Sequence, residues 1–153
     1  MSIRETIEKQ YKQSILQKNS ILTSTLRLIK SAIKDKDIEV RSSGIKEGIK
    51  DKEILALFQS LVKQRQDSIE SFQKAGRKDL VEKEEEELNI IRSFLPEQKN
   101  QNETESIIIQ IINENEFNSL KDMGKLMNIL KNDYSGKIDM GLAGKIAKST
   151  LSN

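Results

Sequence analysis

Ser93-Phe94-Leu95-Pro96-Glu97-Gln98 holds the only proline in 153 residues, and the division of the chain follows from it. Proline lacks an amide proton and pushes the residue before it out of the α region, so a helix entering this stretch should stop near Leu95. Helical periodicity fills the chain on both sides. The sequence therefore reads as all-α, with an N-terminal helical bundle over residues 1–96 and a small C-terminal three-helix module over residues 97–153.

Upstream of the proline, Ile3, Ile7, Tyr11 and Ile15 recur every fourth residue and predict a first amphipathic helix over residues 3–17. Leu22, Leu26, Ile29 and Ile33 form the stripe of a second, ending near Ile38. Ser42-Ser43-Gly44 and Gly48 mark a loop, read as mobile. Asp51 stands where it would cap a third helix, whose buried side is Ile54, Phe58, Leu61, Ile69 and Phe72. Arg65 interrupts that stripe and needs a partner such as Glu84, since an unpaired buried charge is costly. Gly76 suits the left-handed position after a helix, and Asp79 with Glu82 has the spacing of a capping box for a fourth helix. The stripe of that helix is Val81, Leu88, Ile91 and Leu95.

Downstream, the polar tract Glu97–Glu103 reads as a linker. Asn102 with Glu105 is the expected N-cap pair of a helix over residues 103–114; Ile107–Ile109 and Ile111–Ile112 also suit a strand, but the flanking caps favour helix. Ser119 with Asp122 caps the next helix, residues 120–132, and Asp133–Gly136 is a turn. Asp139 caps a last helix with Leu142, Ala143, Ile146 and Ala147 on one face.

Composition narrows the chemistry. Apolar residues make up 35% and charged residues 33%, a balance that suits a thin helical bundle with a modest aliphatic core. The chain has no cysteine, which excludes disulfides, zinc-thiolate sites and a cysteine nucleophile. It also lacks histidine, the commonest general acid/base and metal ligand. Independent catalysis is disfavoured, only carboxylate chemistry remains, and no catalytic residue, metal or cofactor is expected. Glu84–Glu87 does not rescue an acid/base site, because consecutive helical positions point about 100° apart. No run approaches the ~20 apolar residues that span a bilayer. The chain opens directly into an amphipathic helix, so a cytoplasmic protein without a membrane partner is expected.

The net charge of +2 hides segregation. Residues 1–78 hold 17 Lys/Arg against 10 Asp/Glu, and residues 117–153 hold 6 against 3. Between them, residues 79–96 hold 2 against 6 and residues 97–116 hold 1 against 5.

Three segments say more than periodicity: Lys63–Arg77, Phe94-Leu95-Pro96-Glu97-Gln98, and Lys121-Asp122-Met123-Gly124-Lys125-Leu126-Met127. In this order and spacing the chain resembles the GatB/YqeY family, and Thr25–Ile33 is similar to that family's second helix. The resemblance implies an all-helical, two-part fold whose C-terminal part is like the tail domain of the GatB subunit of the tRNA-dependent amidotransferase. It further implies a non-catalytic, tRNA-associated accessory role, related by family to carbon–nitrogen ligase activity with glutamine as amido-N-donor. The turn Tyr134–Gly141 follows the family pattern in outline, with Asp133 adding a negative charge before it.

Under that resemblance the expected nucleic-acid-binding residues are Lys121, Lys125, Lys137, Lys145 and Lys148, and the expected partner is tRNA or a tRNA-handling enzyme complex. Gly124, inside a predicted helix, calls for a packing reason such as close approach of another helix. Arg27, Lys30 and Lys34 line the exposed side of the second helix, either pairing with the acidic run of helix four or forming a second basic surface for RNA. Two rival functions stay open. One is a helical protein–protein adaptor of a translation enzyme without direct RNA binding. The other is a contributor to glutamine-dependent amide transfer that takes its catalytic modules from other chains.

Overall fold

The computed structural model describes residues 2–152. Among them are seven α-helices and no strand: α1 (Ile3–Leu16), α2 (Ser20–Arg41), α3 (Asp51–Lys74), α4 (Lys78–Arg92), α5 (Gln101–Asn115), α6 (Met123–Asp133) and α7 (Met140–Leu151). The all-α fold class is as the periodicity implies. Backbone contacts divide the chain into two compact units, Met1–Leu95 and Pro96–Asn153. No described helix is long and apolar enough to cross a membrane.

In the first unit, Ser2 and Glu5 form a reciprocal capping box that starts α1. α1 ends with Lys18 in the left-handed region at φ 57°. The N–H of Asn19 returns to the Ser14 carbonyl, while the Asn19 side chain accepts from the Leu22 N–H and starts α2. One residue thus closes one helix and opens the next, which fixes a tight α1–α2 hairpin. The core collects Ile7, Leu26, Ile29, Ile33, Ile54, Phe58 and Ile91. Phe94 packs its ring on Phe58 at 5.9 Å between centroids, so the segment before Pro96 is part of this core.

Several local expectations shift. The loop after α2 is tied down at its far end: Ile49 is buried, and its N–H and carbonyl are held by Asp37 and Arg4. Asp51 is the first residue of α3 rather than its cap, and the cap position is Lys50, which makes no side-chain capping bond. Asp79 likewise lies inside α4, where it pairs with Arg77 instead of closing a capping box with Glu82. Gly76 takes φ +72° directly after α3, and the Arg77 N–H reaches back to the Phe72 carbonyl, as the glycine predicted.

In the second unit, α5 begins two residues earlier than expected. Asn100 and Glu103, not Asn102 and Glu105, form the capping box. The tract read as a linker is therefore partly structured: Lys99 donates its N–H to the Lys137 carbonyl at 2.8 Å, and the Gln98 amide donates to the Gly136 carbonyl. Residues 107–112 are helical within α5. The core of this unit is Ile108, Ile111, Leu126, Leu130, Ile138, Ala143, Ala147 and Leu151. Alanines at i and i+4 on α7 let it lie close to its neighbours α5 and α6.

Candidate nucleic-acid interface

The second unit is assembled so that its lysines point outward. A 3₁₀ turn, Leu120–Asp122, leads straight into α6. Ser119 and Asp122 open it, as their spacing predicts, with the Asp122 carboxylate accepting from the N–H groups of Asn118 (2.9 Å) and Ser119 (3.3 Å). Asp139 caps α7 by accepting from Gly141 (2.9 Å) and Leu142 (3.3 Å). Two of the three carboxylates after residue 116 are thus spent on backbone donors rather than on lysines.

Lys121, Lys125, Lys137, Lys145 and Lys148 are all exposed. The ion pairs formed among the described residues include none of the five. Lys121 and Lys125 stand four residues apart at the start of the 3₁₀–α6 segment, and Lys145 and Lys148 three apart on α7, so each pair shares a helix face. α7 packs against the 3₁₀ turn that carries Lys121. Lys137 lies in the α6–α7 connection, after the end of α6 opposite to the one that follows Lys121. Its backbone is fixed by Lys99 on one side and by buried Ile138 on the other.

Gly124 has no packing reason. It is exposed, and a β-carbon placed there would meet nothing within 4 Å. The expected close helix approach is absent, because the small residues that serve packing in this unit are Ala143 and Ala147.

In the first unit, Arg65 has the partner it needs. Its Nε lies 3.4 Å from Glu87 and 4.0 Å from Glu84, charge contacts without an aligned hydrogen bond, with the Arg65 side chain only 12% exposed. Glu84 was expected; Glu87, one helical turn on, was missed. Glu85 and Glu86 face solvent, so the four-glutamate run splits. Lys30 does not pair with α4. It binds Glu8 of α1 at 2.8 Å and sits 4.2 Å above the Tyr11 ring. Arg27 reaches the Tyr11 hydroxyl at 3.4 Å. The Lys30 ammonium holds the Glu8 carboxyl below its ordinary range. α2 turns Lys30 toward α1, while Arg27 and Lys34 stay exposed and neither pairs with a carboxylate of α4 among the described residues.

Residues 4–151 match the family described as Yqey-like protein. Among curated proteins, the chain is 36% identical over 89 residues to altered inheritance of mitochondria protein 41, mitochondrial, of Lachancea thermotolerans, covering 58% of this chain and 46% of that one. It is 32% identical over 88 residues to the Kluyveromyces lactis protein of the same name, covering 58% and 45%. An uncharacterised protein of Schizosaccharomyces pombe is 32% identical over 96 residues, covering 63% of this chain and 74% of that one. The chain spans about half the length of the first two of these relatives.

Proposed function

The chain belongs to the YqeY-like family, and from that premise we propose that it is a non-catalytic, tRNA-associated accessory protein. Its second unit lays Lys121, Lys125, Lys137, Lys145 and Lys148 against RNA phosphate. The observation that carries this reading is five exposed lysines with no carboxylate partner among the described residues, on a unit whose aspartates are largely committed to helix caps. Lysine contacts to phosphate supply affinity and position with little sequence reading. Shape recognition of folded RNA needs no aromatic stacking platform, and this unit has only Phe117 and Tyr134. The link to amide transfer is one of association: the chain would serve a carbon–nitrogen ligase acting on tRNA rather than perform its chemistry. The proposed compartment is the cytoplasm, whereas the Lachancea and Kluyveromyces relatives are mitochondrial proteins.

A second reading, a helical adaptor for a translation enzyme, draws on a different observation. The α1–α2 hairpin exposes Ile15 and Ile21, with Leu16 82% exposed.

The test is binding of total tRNA to the full chain across a salt series, beside Lys121→Glu/Lys125→Glu. Micromolar or tighter binding that falls steeply with salt, and weakens in the variant, supports the tRNA reading. A protein partner retained at high salt without RNA would favour the adaptor.

A further inference from the structure

We propose that the outward seam of α2 in the first unit is a track for RNA phosphates, separate from the lysines of the second unit. Ser24, Arg27, Ser31, Lys34, Ile38 and Arg41 follow one another at alternating steps of three and four residues. A repeat of 3.5 residues keeps such positions on one helix face, and all six are exposed. The three cations are seven residues apart, so about 10 Å separates neighbours and about 21 Å the outer two.

The seam carries no carboxylate, and of the four that border it, three are ion-paired while Asp35 stands exposed beside Lys34. Glu8 is held by Lys30 at 2.8 Å. Asp37, which lies within electrostatic reach of Arg41, is held by Arg4 at 2.7 Å. Glu39 pairs with Lys36 at 3.3 Å. Tyr11 steadies Arg27 through its hydroxyl and ring without neutralising it. Beside the seam, a groove of about 390 Å³ lies between α1 and α2, with buried Ile7 and Ile33 in its lining. Residues 9–34, which build most of this face, hold six Lys/Arg and no Asp/Glu.

The spacing selects the occupant. A small anion would meet one of these cations at a time, whereas a linear polyanion meets all three. An acidic amphipathic helix or a lipid surface would need an apolar strip, and the seam offers only Ile38. Nucleic-acid phosphate needs charge, forked donors and room for close approach. Two arginines and one lysine, with Ser24 before Arg27 and Ser31 between Arg27 and Lys34, provide these.

The inference rests on the RNA-binding reading above, and the experiment separates the two. Fluorescent tRNA is titrated with the full chain, with Arg27→Glu/Lys34→Glu/Arg41→Glu, and with Lys121→Glu/Lys125→Glu, across a salt series. The α2 variant should lose about tenfold or more in affinity at low salt, and its log–log salt slope should shrink by roughly 2–3. Residual binding should remain through the second unit. If the α2 variant binds like the wild type while the Lys121/Lys125 variant loses binding, the α2 track is wrong and the tRNA reading stands. If the wild type binds no tRNA, both fall. If polyglutamate competes through the three α2 cations where tRNA does not, the face belongs to an acidic protein and the proposal is overturned. Should the glutamate variant fail to fold, Arg27→Gln/Lys34→Gln/Arg41→Gln carries the same comparison.

Discussion

Arg4 and Asp37, 33 residues apart, form a two-pronged ion pair with N···O distances of 2.9 and 2.7 Å. The same guanidinium donates to the Ile49 carbonyl at 2.8 Å, and the same carboxylate accepts the Ile49 N–H at 2.8 Å. One pair thereby joins α1, α2 and the end of the following loop. Gly48 sits against it at φ +84°, where a β-carbon would collide with the Asp37 carboxylate.

Asp37→Asn should destabilise the first unit by about 1–2 kcal/mol at neutral pH, through loss of charge-assisted bonds. Arg4 holds the Asp37 carboxyl below the ordinary aspartate range, against the opposing effect of burial, and the Ile49 N–H reinforces the shift. A lowered folded-state pKa means the contribution is present above the unfolded value, near 3.9, and is lost as pH falls through the folded value. Thermal melts of wild type and variant should differ by a constant amount from about pH 7 to 5 and converge in stronger acid. A gap that persists at low pH would remove the ion pair as its cause.

Arg65→Met should cost about 2–3 kcal/mol, because it leaves Glu84 and Glu87 half-buried without their cation. Adding Glu87→Leu should recover part of the loss by removing one stranded charge. Urea midpoints of the single and double variants measure this, and a double variant weaker than the single would refute it.

Two substitutions should stabilise. Lys18→Gly relieves a left-handed non-glycine residue and should raise stability by about 0.5–1 kcal/mol. Gly124→Ala fills open space near the start of α6 and should add up to about 1 kcal/mol. Calorimetry reads both, and a lowered transition in either variant would show a constraint at that site that its local geometry lacks.

Lys145→Glu/Lys148→Glu should lower the melting temperature by no more than about 5 °C, since the two lysines are exposed and unpaired and only Lys148 meets the C-terminal dipole of α7. The tRNA salt slope should drop by roughly 1.5–2 in the same protein. Unchanged binding would take α7 out of the interface.

What the sequence disclosed depended on distance along the chain. Pro96, Gly76, the Ser119–Asp122 pair and Asp139 act within a few residues of themselves, and each was legible. Asp51 and Asp79 misled because an aspartate suits the first turn of a helix as well as its cap. Arg65 was readable as an interruption of an apolar stripe. Arg4–Asp37 was not, because nothing local to either residue points to the other. Lys30 belonged with Glu8 rather than α4 because the neighbour of a helix face is set by tertiary packing. The lysines of the second unit could be named from resemblance, while their freedom from carboxylates emerged only once the aspartates were seen capping helices.

The two hydrophobic cores share no residue: one is built from side chains up to Leu95, the other from Ile107 onward. During synthesis, the first can close as soon as Phe94 and Leu95 leave the ribosome, before the second exists. Damage to one core therefore removes no side chain from the other. A genetic screen for suppressors of a folding defect should find its compensating changes on the same side of Pro96 as the lesion.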